Sequence, residues 1–137
     1  MQVLLDTNVL LDFCDSARQP FHDDCLTLLR ACVNNDVATL ASVSSLNDAY
    51  YILAKRYGEP FAQQSVAGLL ELFDVQPMLV SYANTAVDSN EPDFEDGLIR
   101  AMAEKLHCDV IVTRDAAAFR ASQVPALTPQ ECVARLV

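Results

Sequence analysis

The sequence predicts an α/β fold in which helices cover both faces of a parallel β-sheet. Short apolar runs of strand length alternate along the chain with longer segments whose apolar residues recur at helical spacing. Two of these runs, residues 3–5 and 110–113, are almost continuously apolar, which is typical of parallel strands buried on both faces. Such strands are joined by right-handed crossovers, so their carboxyl ends share one edge of the sheet, where function resides.

The amino-terminal half predicts two strands and four helices. The first strand turns directly into a helix, because Asp6-Thr7-Asn8 separates two apolar runs and Asp favours helix starts. Gly58 ends one helix and Pro60 opens the next. In chain order we expect a strand over 3–5, a helix from about Val9, a helix over 25–33, a strand over 37–43, and helices over about 45–57 and 60–73.

The carboxy-terminal half predicts three strands and two helices, with an acid-rich stretch at 88–96. In chain order we expect a strand over 75–80 interrupted by Pro77, a helix over about 94–106, a strand over 110–113, a short strand near Leu127 and a terminal helix from Pro129.

Length and composition predict one domain over residues 1–137. The content of hydrophobic residues, 52%, is enough to build a sizeable core. The five cysteines are odd in number and form no CxxC pair, so we expect reduced, mostly buried thiols rather than disulfides or a zinc site. Because no segment looks like a signal peptide or a membrane span, we expect a cytoplasmic protein.

The charge balance argues against a protein that binds nucleic acid through a broad basic surface. The chain has 9 basic and 19 acidic residues and a formal net charge of −10, whereas bare binders hold phosphates with Lys and Arg. Divalent cations can bridge protein carboxylates to phosphates, because the ion reverses the sign of the local field. The acidity therefore remains compatible with a metal-dependent nuclease.

Four aspartates, Asp6, Asp48, Asp96 and Asp115, are predicted at one edge of the sheet. Asp6 and Asp115 follow strands, Asp48 is expected in the first turn of the helix after the second strand, and Asp96 opens the helix before the 110–113 strand. Taken alone, each could cap or start a helix, and Asp93/Asp96 and Ser45/Asp48 have the spacing of a capping box.

Taken together, these aspartates favour a metal site. Converging carboxylates repel one another unless a cation or a proton intervenes. Oxygen ligands suit Mg²⁺ or Mn²⁺, and two such ions can activate a water and stabilise the leaving oxygen of a phosphodiester.

Three motifs resemble those of the PIN domain family, especially the small ribonuclease toxins of bacterial toxin–antitoxin pairs. They are LLDTNVLLD at residues 4–12, EDGLI at 95–99 and VTRDAAAF at 112–119. Each motif is weak alone, but three in order within a βα pattern are a fairly specific signal.

This resemblance implies a three-layer α/β/α sandwich with a parallel sheet of about five strands, and an endoribonuclease that uses Mg²⁺ or Mn²⁺ to cleave single-stranded or structured RNA. It implies Asp6, Asp96 and Asp115 as metal ligands, directly or through water, with Asn8 and Thr113 orienting carboxylates or bound water. It also implies an antitoxin partner and a homodimer, for which the strongly apolar helices predicted over 45–73 offer a surface besides their role in the core.

One position departs from the family pattern. The family usually carries Glu in the helix after the second strand, where this chain has Asp48. Asp is one methylene shorter, so we expect contact with a metal only through water, and we keep Asp48 in the catalytic set. The departure leaves open a PIN-like module with weak or no activity that binds RNA or protein.

A phosphotransfer fold is a further alternative, of the haloacid-dehalogenase-like or receiver type. This alternative is disfavoured for two reasons. Asn8 stands where a haloacid-dehalogenase-like fold needs a second Asp, and the Lys expected at the end of a strand does not follow Val112-Thr113.

Several other polar residues have a structural interpretation beside a functional one. One of Asp93 and Glu95 could join the site, and of the two we favour Asp93, although a helix cap or a solvated loop is the simpler role. Asp12 could support the site from behind its ligands, but we expect an exposed helix residue. Arg114 and Arg120 could touch RNA phosphate, but we expect solvated surface side chains. His22 and His107 have no ligand spacing and are expected to be structural.

Overall fold

The computed structural model describes residues 1–89 and 93–136, and it contains a five-stranded sheet between layers of helices. Residues 90–92 of the predicted acid-rich stretch, and residue 137 after the predicted terminal helix, lie outside the described part. In chain order the elements are β1 (Gln2–Leu5), α1 (Thr7–Cys14), α2 (Phe21–Asn34), β2 (Ala38–Ser42), α3 (Val43–Tyr57), α4 (Glu59–Leu72), β3 (Asp74–Gln76), α5 (Val80–Asp88), α6 (Phe94–Lys105), β4 (Val110–Val112), a 3-10 helix (Ala116–Phe119), β5 (Ala126–Leu127) and α7 (Pro129–Leu136).

Strand β1 lies at the centre of the sheet. The strand order is β3-β2-β1-β4-β5, and every neighbouring pair is parallel. Val3 of β1 pairs with Thr39 of β2 on one side and with Val110 of β4 on the other. The chain winds outward from β1 to β3 and then returns to β4, so the strand order reverses at β1. Such a reversal opens a crevice at the carboxyl ends of the central strands.

Alternate side chains of the central strand pack into two separate cores. Val3 and Leu5 face a core shared with α1, α2 and α7, whereas Leu4 faces a core shared with α5 and α6. Successive side chains of a strand point to opposite faces, and all three of these are buried. The sheet is therefore covered on both faces, which confirms the predicted three-layer α/β fold with a parallel sheet of five strands.

Helix α3 begins two residues before the predicted start. The Ser42 hydroxyl accepts a hydrogen bond from the Ser45 backbone N–H at 3.0 Å, so Ser42 is the N-cap. Asp48 therefore lies in the second turn of α3, and the predictions of a first-turn position and of a Ser45/Asp48 capping box were wrong. As a result, Asp48 is not used to cap the helix.

The region after β3 also differs from the prediction. The expected strand over 75–80 ends at Gln76, because Pro77 has no N–H to continue the ladder. Val80 instead begins α5, a helix that the sequence did not predict. Tyr82 and Ala86, four residues apart on α5, are buried in the core that also contains residues of α6.

The prediction that most of the cysteines are buried is confirmed. All five are free; Cys14 is half-buried and the others are buried.

Within residues 1–89 and 93–136, no helix is both long and apolar enough to cross a membrane.

Candidate active site

The crevice at the carboxyl ends of β1, β2 and β4 forms a cavity of about 710 Å³. The structure brings all four aspartates of the predicted catalytic set to this cavity, and Asp93 and Glu95 line it as well. Among the described residues, every charged side chain of the lining is acidic: Asp6, Asp48, Asp93, Glu95, Asp96 and Asp115. The remaining lining residues include Asn8, Leu11 and Tyr51. The cavity therefore combines a carboxylate cluster with apolar and aromatic side chains.

Asp6 is the most deeply buried carboxylate of the cavity, and both of its oxygens are hydrogen-bonded. It caps α1 after β1 and accepts from the Thr7 backbone N–H on Oδ1 at 2.9 Å. Its Oδ2 accepts from the Thr113 hydroxyl at 2.9 Å. Burial raises the pKa of Asp6 above its ordinary value, the two hydrogen bonds oppose that rise, and the charges of Asp115 and Asp93 add to it. A cation beside Asp6 would favour its ionised form.

Thr113 joins two of the aspartates. Its side chain is fully buried directly after β4, and its hydroxyl oxygen accepts from the Asp115 backbone N–H at 3.0 Å while donating to Asp6. The ends of β1 and β4 are neighbours in the sheet, which explains how residues 107 positions apart meet. One hydroxyl thus fixes the Asp6 carboxylate relative to the backbone that carries Asp115.

Replacing Thr113 by valine tests this linkage. Thr113→Val keeps the shape but removes the hydroxyl, so we expect Mn²⁺ affinity to fall about tenfold, the lower end of what hydrogen-bond partners of metal ligands contribute. Thr113→Ser keeps the hydroxyl and serves as the matched control. Both are measured by calorimetric titration with Mn²⁺. Wild-type affinity in the valine variant would show that the hydroxyl does not matter to the site.

Helix α6 presents its amino terminus to the cavity. Asp93 is the N-cap, and its Oδ1 accepts from the backbone N–H groups of Glu95 at 2.9 Å and Asp96 at 3.3 Å. The simpler interpretation of Asp93 as a cap is therefore confirmed, although this residue also lines the cavity. Asp96 is half-buried in the first turn of α6. The side-chain cap of this helix is Asp93 rather than Asp96.

Glu95 lines the cavity, although a helix cap or a solvated loop was the simpler expectation from the sequence. Its carboxyl makes a hydrogen bond with Asp48, which reaches the cavity from α3. This hydrogen bond, then burial, then the charges of Asp48, Asp93 and Asp6 raise the pKa of Glu95 to about 7. Two carboxyl groups in such contact share a proton unless a cation takes its place. Glu95 thus stands beside the position where the family usually has its own Glu.

The raised pKa of Glu95 predicts how stability depends on pH in the absence of metal. The folded chain holds a proton on Glu95 that the unfolded chain releases at its ordinary pKa of 4.5. Stability should therefore fall as pH rises from about 4.5 to about 7 and level off above that window. Glu95→Gln should lose part of this slope, whereas Glu71→Gln, at an exposed position on α4, should retain it. Thermal unfolding in EDTA across the pH range measures both, and identical slopes would contradict the assignment.

The donor set fits a hydrated divalent cation. Among the described residues, no three His, Cys, Asp or Glu side chains are close enough to form a ready-made metal cluster. Mg²⁺ keeps several waters and needs only one or two direct carboxylates. The carboxylates around Asp6 meet that requirement, because they offer oxygen donors. Burial and the neighbouring carboxylates raise the pKa of Asp6, as expected at a place that suits a cation.

Asp12 and Arg114 differ from the predictions made for them. Asp12 was expected to be exposed, but its side chain is fully buried and contacts Arg18 and Arg114. Arg114 was expected to be a solvated surface residue, but it pairs with Asp12. The predictions were wrong because the partners come from other parts of the chain. His22 is structural, with Nδ1 2.8 Å from the Asp12 carbonyl oxygen.

Comparison with known proteins decides the family. The family model described as "PIN domain" matches residues 2–117. The chain belongs to the PIN domain family. This match spans the first two of the three motifs that carried the resemblance and most of the third, and it confirms the family predicted from the sequence.

Three known proteins resemble this one over most of their length. Ribonuclease VapC1 of Aquifex aeolicus (strain VF5) is 25% identical over 135 residues, which are 95% of this chain and 92% of the relative. The crystal structure of Mycobacterium tuberculosis VapC20, a sarcin-ricin loop cleaving toxin, superposes with a TM-score of 0.69 at 17% identity, covering 87% of this chain and 94% of that one. A toxin–antitoxin complex from Klebsiella pneumoniae gives a TM-score of 0.67 at 17% identity over 93% and 97% of the two chains.

Proposed function

We propose that this PIN domain is an endoribonuclease that hydrolyses RNA phosphodiester bonds with the help of Mg²⁺ or Mn²⁺, acting as one domain over residues 1–137. The observation that carries the proposal is the convergence of Asp6, Asp48, Asp96 and Asp115 on one cavity, whose charged side chains within residues 1–89 and 93–136 are all acidic. An RNA phosphate cannot enter such a cavity without a counter-charge. The similarity to ribonuclease VapC1 supports RNA as the substrate.

The proposed roles follow from the geometry. Asp6, Asp96 and Asp115 would hold the metal, directly or through water, and Asp48 would contribute through water with Glu95 beside it. When bound, Mg²⁺ or Mn²⁺ supplies the positive charge that draws in the phosphate and favours ionisation of the attacking water. Thr113 holds the Asp6 carboxylate in position, and Asn8 presents an amide at the cavity wall to orient water or phosphate oxygen.

A cleavage assay tests the proposal. A fluorescent single-stranded RNA and a structured RNA are incubated with the protein in Mg²⁺, in Mn²⁺ and in EDTA. We expect cleavage with either metal and none in EDTA. Metal-independent cleavage would contradict the mechanism. RNA binding without cleavage in either metal would instead favour the PIN-like module without activity.

We further propose that the protein is the toxin of a toxin–antitoxin pair, with an antitoxin protein as its partner. Similarity to a chain of the Klebsiella pneumoniae toxin–antitoxin complex over 93% of this chain supports this role. Expression of the wild type in a bacterial host should arrest growth, and expression of Asp96→Asn should not. Co-expression of a small neighbouring gene product should restore growth if that product is the antitoxin.

A homodimer is proposed through the α3–α4 pair of helices. Several large apolar side chains on these helices are exposed: Tyr51, Ile52, Phe61, Leu70 and Leu72. Large apolar side chains that remain exposed in such numbers often mark a protein interface. Light scattering after size exclusion should give twice the chain mass, and Leu70→Glu should give the monomer. Val33→Glu, at an exposed position on α2, is the matched control and should leave the dimer intact.

A further inference from the structure

Two arginines share one buried carboxylate beside the acidic cavity. The Asp12 side chain, on α1, is fully buried. Its Oδ1 lies 2.7 Å from Nε of Arg18, and its Oδ2 lies 3.0 Å from Nε of Arg114. The contact with Arg18 is a hydrogen bond, whereas Arg114 Nε and Asp12 Oδ2 are at ion-pair distance without hydrogen-bond alignment. We call the two arginines Arg18 and Arg114, together with the Asp12 carboxylate that they share, the Asp12 arginine pair.

The Asp12 arginine pair carries a net positive charge. One carboxylate faces two guanidinium groups, so one unit of positive charge remains in a protein whose formal net charge is −10. The side chains of Arg18 and Arg114 are 25% and 29% exposed, which keeps them within reach of a ligand in solvent. The Arg114 guanidinium also stacks over the Phe21 ring, 4.0 Å from its centroid. Both cations are thus held in place before any ligand binds.

The Asp12 arginine pair borders the cavity at two points. Nη2 of Arg18 lies 3.5 Å from Oδ1 of Asn8, which lines the cavity. Arg114 directly precedes Asp115, another lining residue. An RNA strand with one phosphate among the carboxylates could leave the cavity past Asn8 and Asp115. On that path its next phosphate would lie close to the Asp12 arginine pair.

We propose that Arg18 and Arg114 bind a backbone phosphate of the RNA next to the one that is cleaved, and that Asp12 is the positioning residue that holds them. A guanidinium is a planar fork that suits phosphate oxygens. Asp12 contacts both arginines through Nε rather than through their Nη groups, and the contact of Arg18 Nη2 with Asn8 is long, at 3.5 Å. Phosphate contacts fix the register of a nucleic acid without reading its sequence. The inference rests on the proposed ribonuclease function and adds a substrate contact to it.

RNA binding to a cleavage-deficient protein tests the inference without relying on activity. In an Asp96→Asn background at fixed Mg²⁺, a fluorescein-labelled single-stranded RNA of random sequence is titrated with protein at several KCl concentrations. Arg18→Gln and Arg114→Gln should each weaken binding about tenfold, as the loss of a charge-assisted hydrogen bond would. Each should also lower the slope of log affinity against log salt by about 0.7, the value for one phosphate contact to a single strand.

Matched variants separate this role from general charge and from folding. Arg135→Gln makes the same change of charge at an exposed position on α7 that does not line the cavity, and it should leave affinity and salt slope unchanged. Each single arginine variant leaves Asp12 with one arginine partner. If a glutamine variant fails to fold, Arg18→Lys and Arg114→Lys replace it, because they keep the positive charge. The lysine variants should retain the salt slope and lose part of the affinity, because an ammonium cannot form the fork.

The outcomes for the inference and for the proposed function are distinct. The phosphate site would be overturned if Arg18→Gln and Arg114→Gln had the same affinity and salt slope as Arg135→Gln, or if the protein bound no RNA at all. This holds even if the wild type cleaves RNA with metal. Weaker binding in both arginine variants would support the phosphate site even if the wild type binds no metal and cleaves nothing, and only the ribonuclease proposal would then fail.

Discussion

Asp96→Asn is expected to lower the rate of metal-dependent RNA cleavage at least about 100-fold without unfolding the protein. Loss of hydrogen-bond partners of metal ligands already costs about 10- to 100-fold, and Asp96 is proposed as a ligand itself. Replacing one carboxylate of the cavity also removes repulsion from its neighbours. The free energy of unfolding should therefore stay the same or rise. Cleavage kinetics and urea denaturation measure the two effects.

Asp88→Asn provides the control, since Asp88 is an exposed aspartate at the end of α5. It should cleave RNA at the wild-type rate. Loss of folding in Asp96→Asn would instead mean that Asp96 serves the start of α6. Full activity in that variant would remove Asp96 from the proposed metal site.

Asp12→Asn is expected to lower the free energy of unfolding by about 3 kcal/mol. Asp12 is fully buried and contacts two arginines, and removing one partner from a buried ion pair leaves uncompensated charge, which typically costs about 3 to 5 kcal/mol. The lower end applies because the arginines are partly exposed and can turn toward water. Urea denaturation in EDTA measures the loss apart from any metal effect.

Two further variants show whether the charge interaction is responsible. Asp23→Asn makes the same change at an exposed position on α2 and should change stability by less than about 0.5 kcal/mol. In the double variant Asp12→Asn/Arg114→Gln the loss should be smaller than the sum of the single losses, since the two residues interact. Additive losses, or a small loss for Asp12→Asn, would show that this contact contributes little.

Local sequence patterns were sufficient to predict the sheet and the position of Asp6 and Asp115 at one edge of it. Continuous apolar runs identified β1 and β4, because a strand buried on both faces tolerates few polar side chains. Asp6 and Asp115 follow those strands directly, so parallel topology alone places them at one edge. Helix α5 was not predicted because the apolar residues at its start follow those of β3 closely, so the two together look like one strand. Pro77 marks the end of that strand and not an interruption within it.

The remaining features of the site depend on contacts between distant parts of the chain. The hydrogen bond between Glu95 and Asp48 requires α6 and α3 to meet at the cavity, which no local pattern encodes. Asp12 is buried because Arg114, 102 positions away, and Arg18 neutralise it; a helical pattern alone would place a charged residue in solvent. The N-cap at Ser42 was a local signal, and it was overlooked because the strand was extended to residue 43.

Calorimetric titration of Mn²⁺ into the wild type and Asp6→Asn tests the proposed metal site most directly, because it needs no knowledge of the RNA substrate. We expect the wild type to bind Mn²⁺ with millimolar or tighter affinity. Asp6→Asn should weaken that affinity at least about tenfold while remaining folded. Absence of binding to the wild type at high millimolar Mn²⁺, or equal affinity in the two proteins, would contradict a catalytic metal at this cavity.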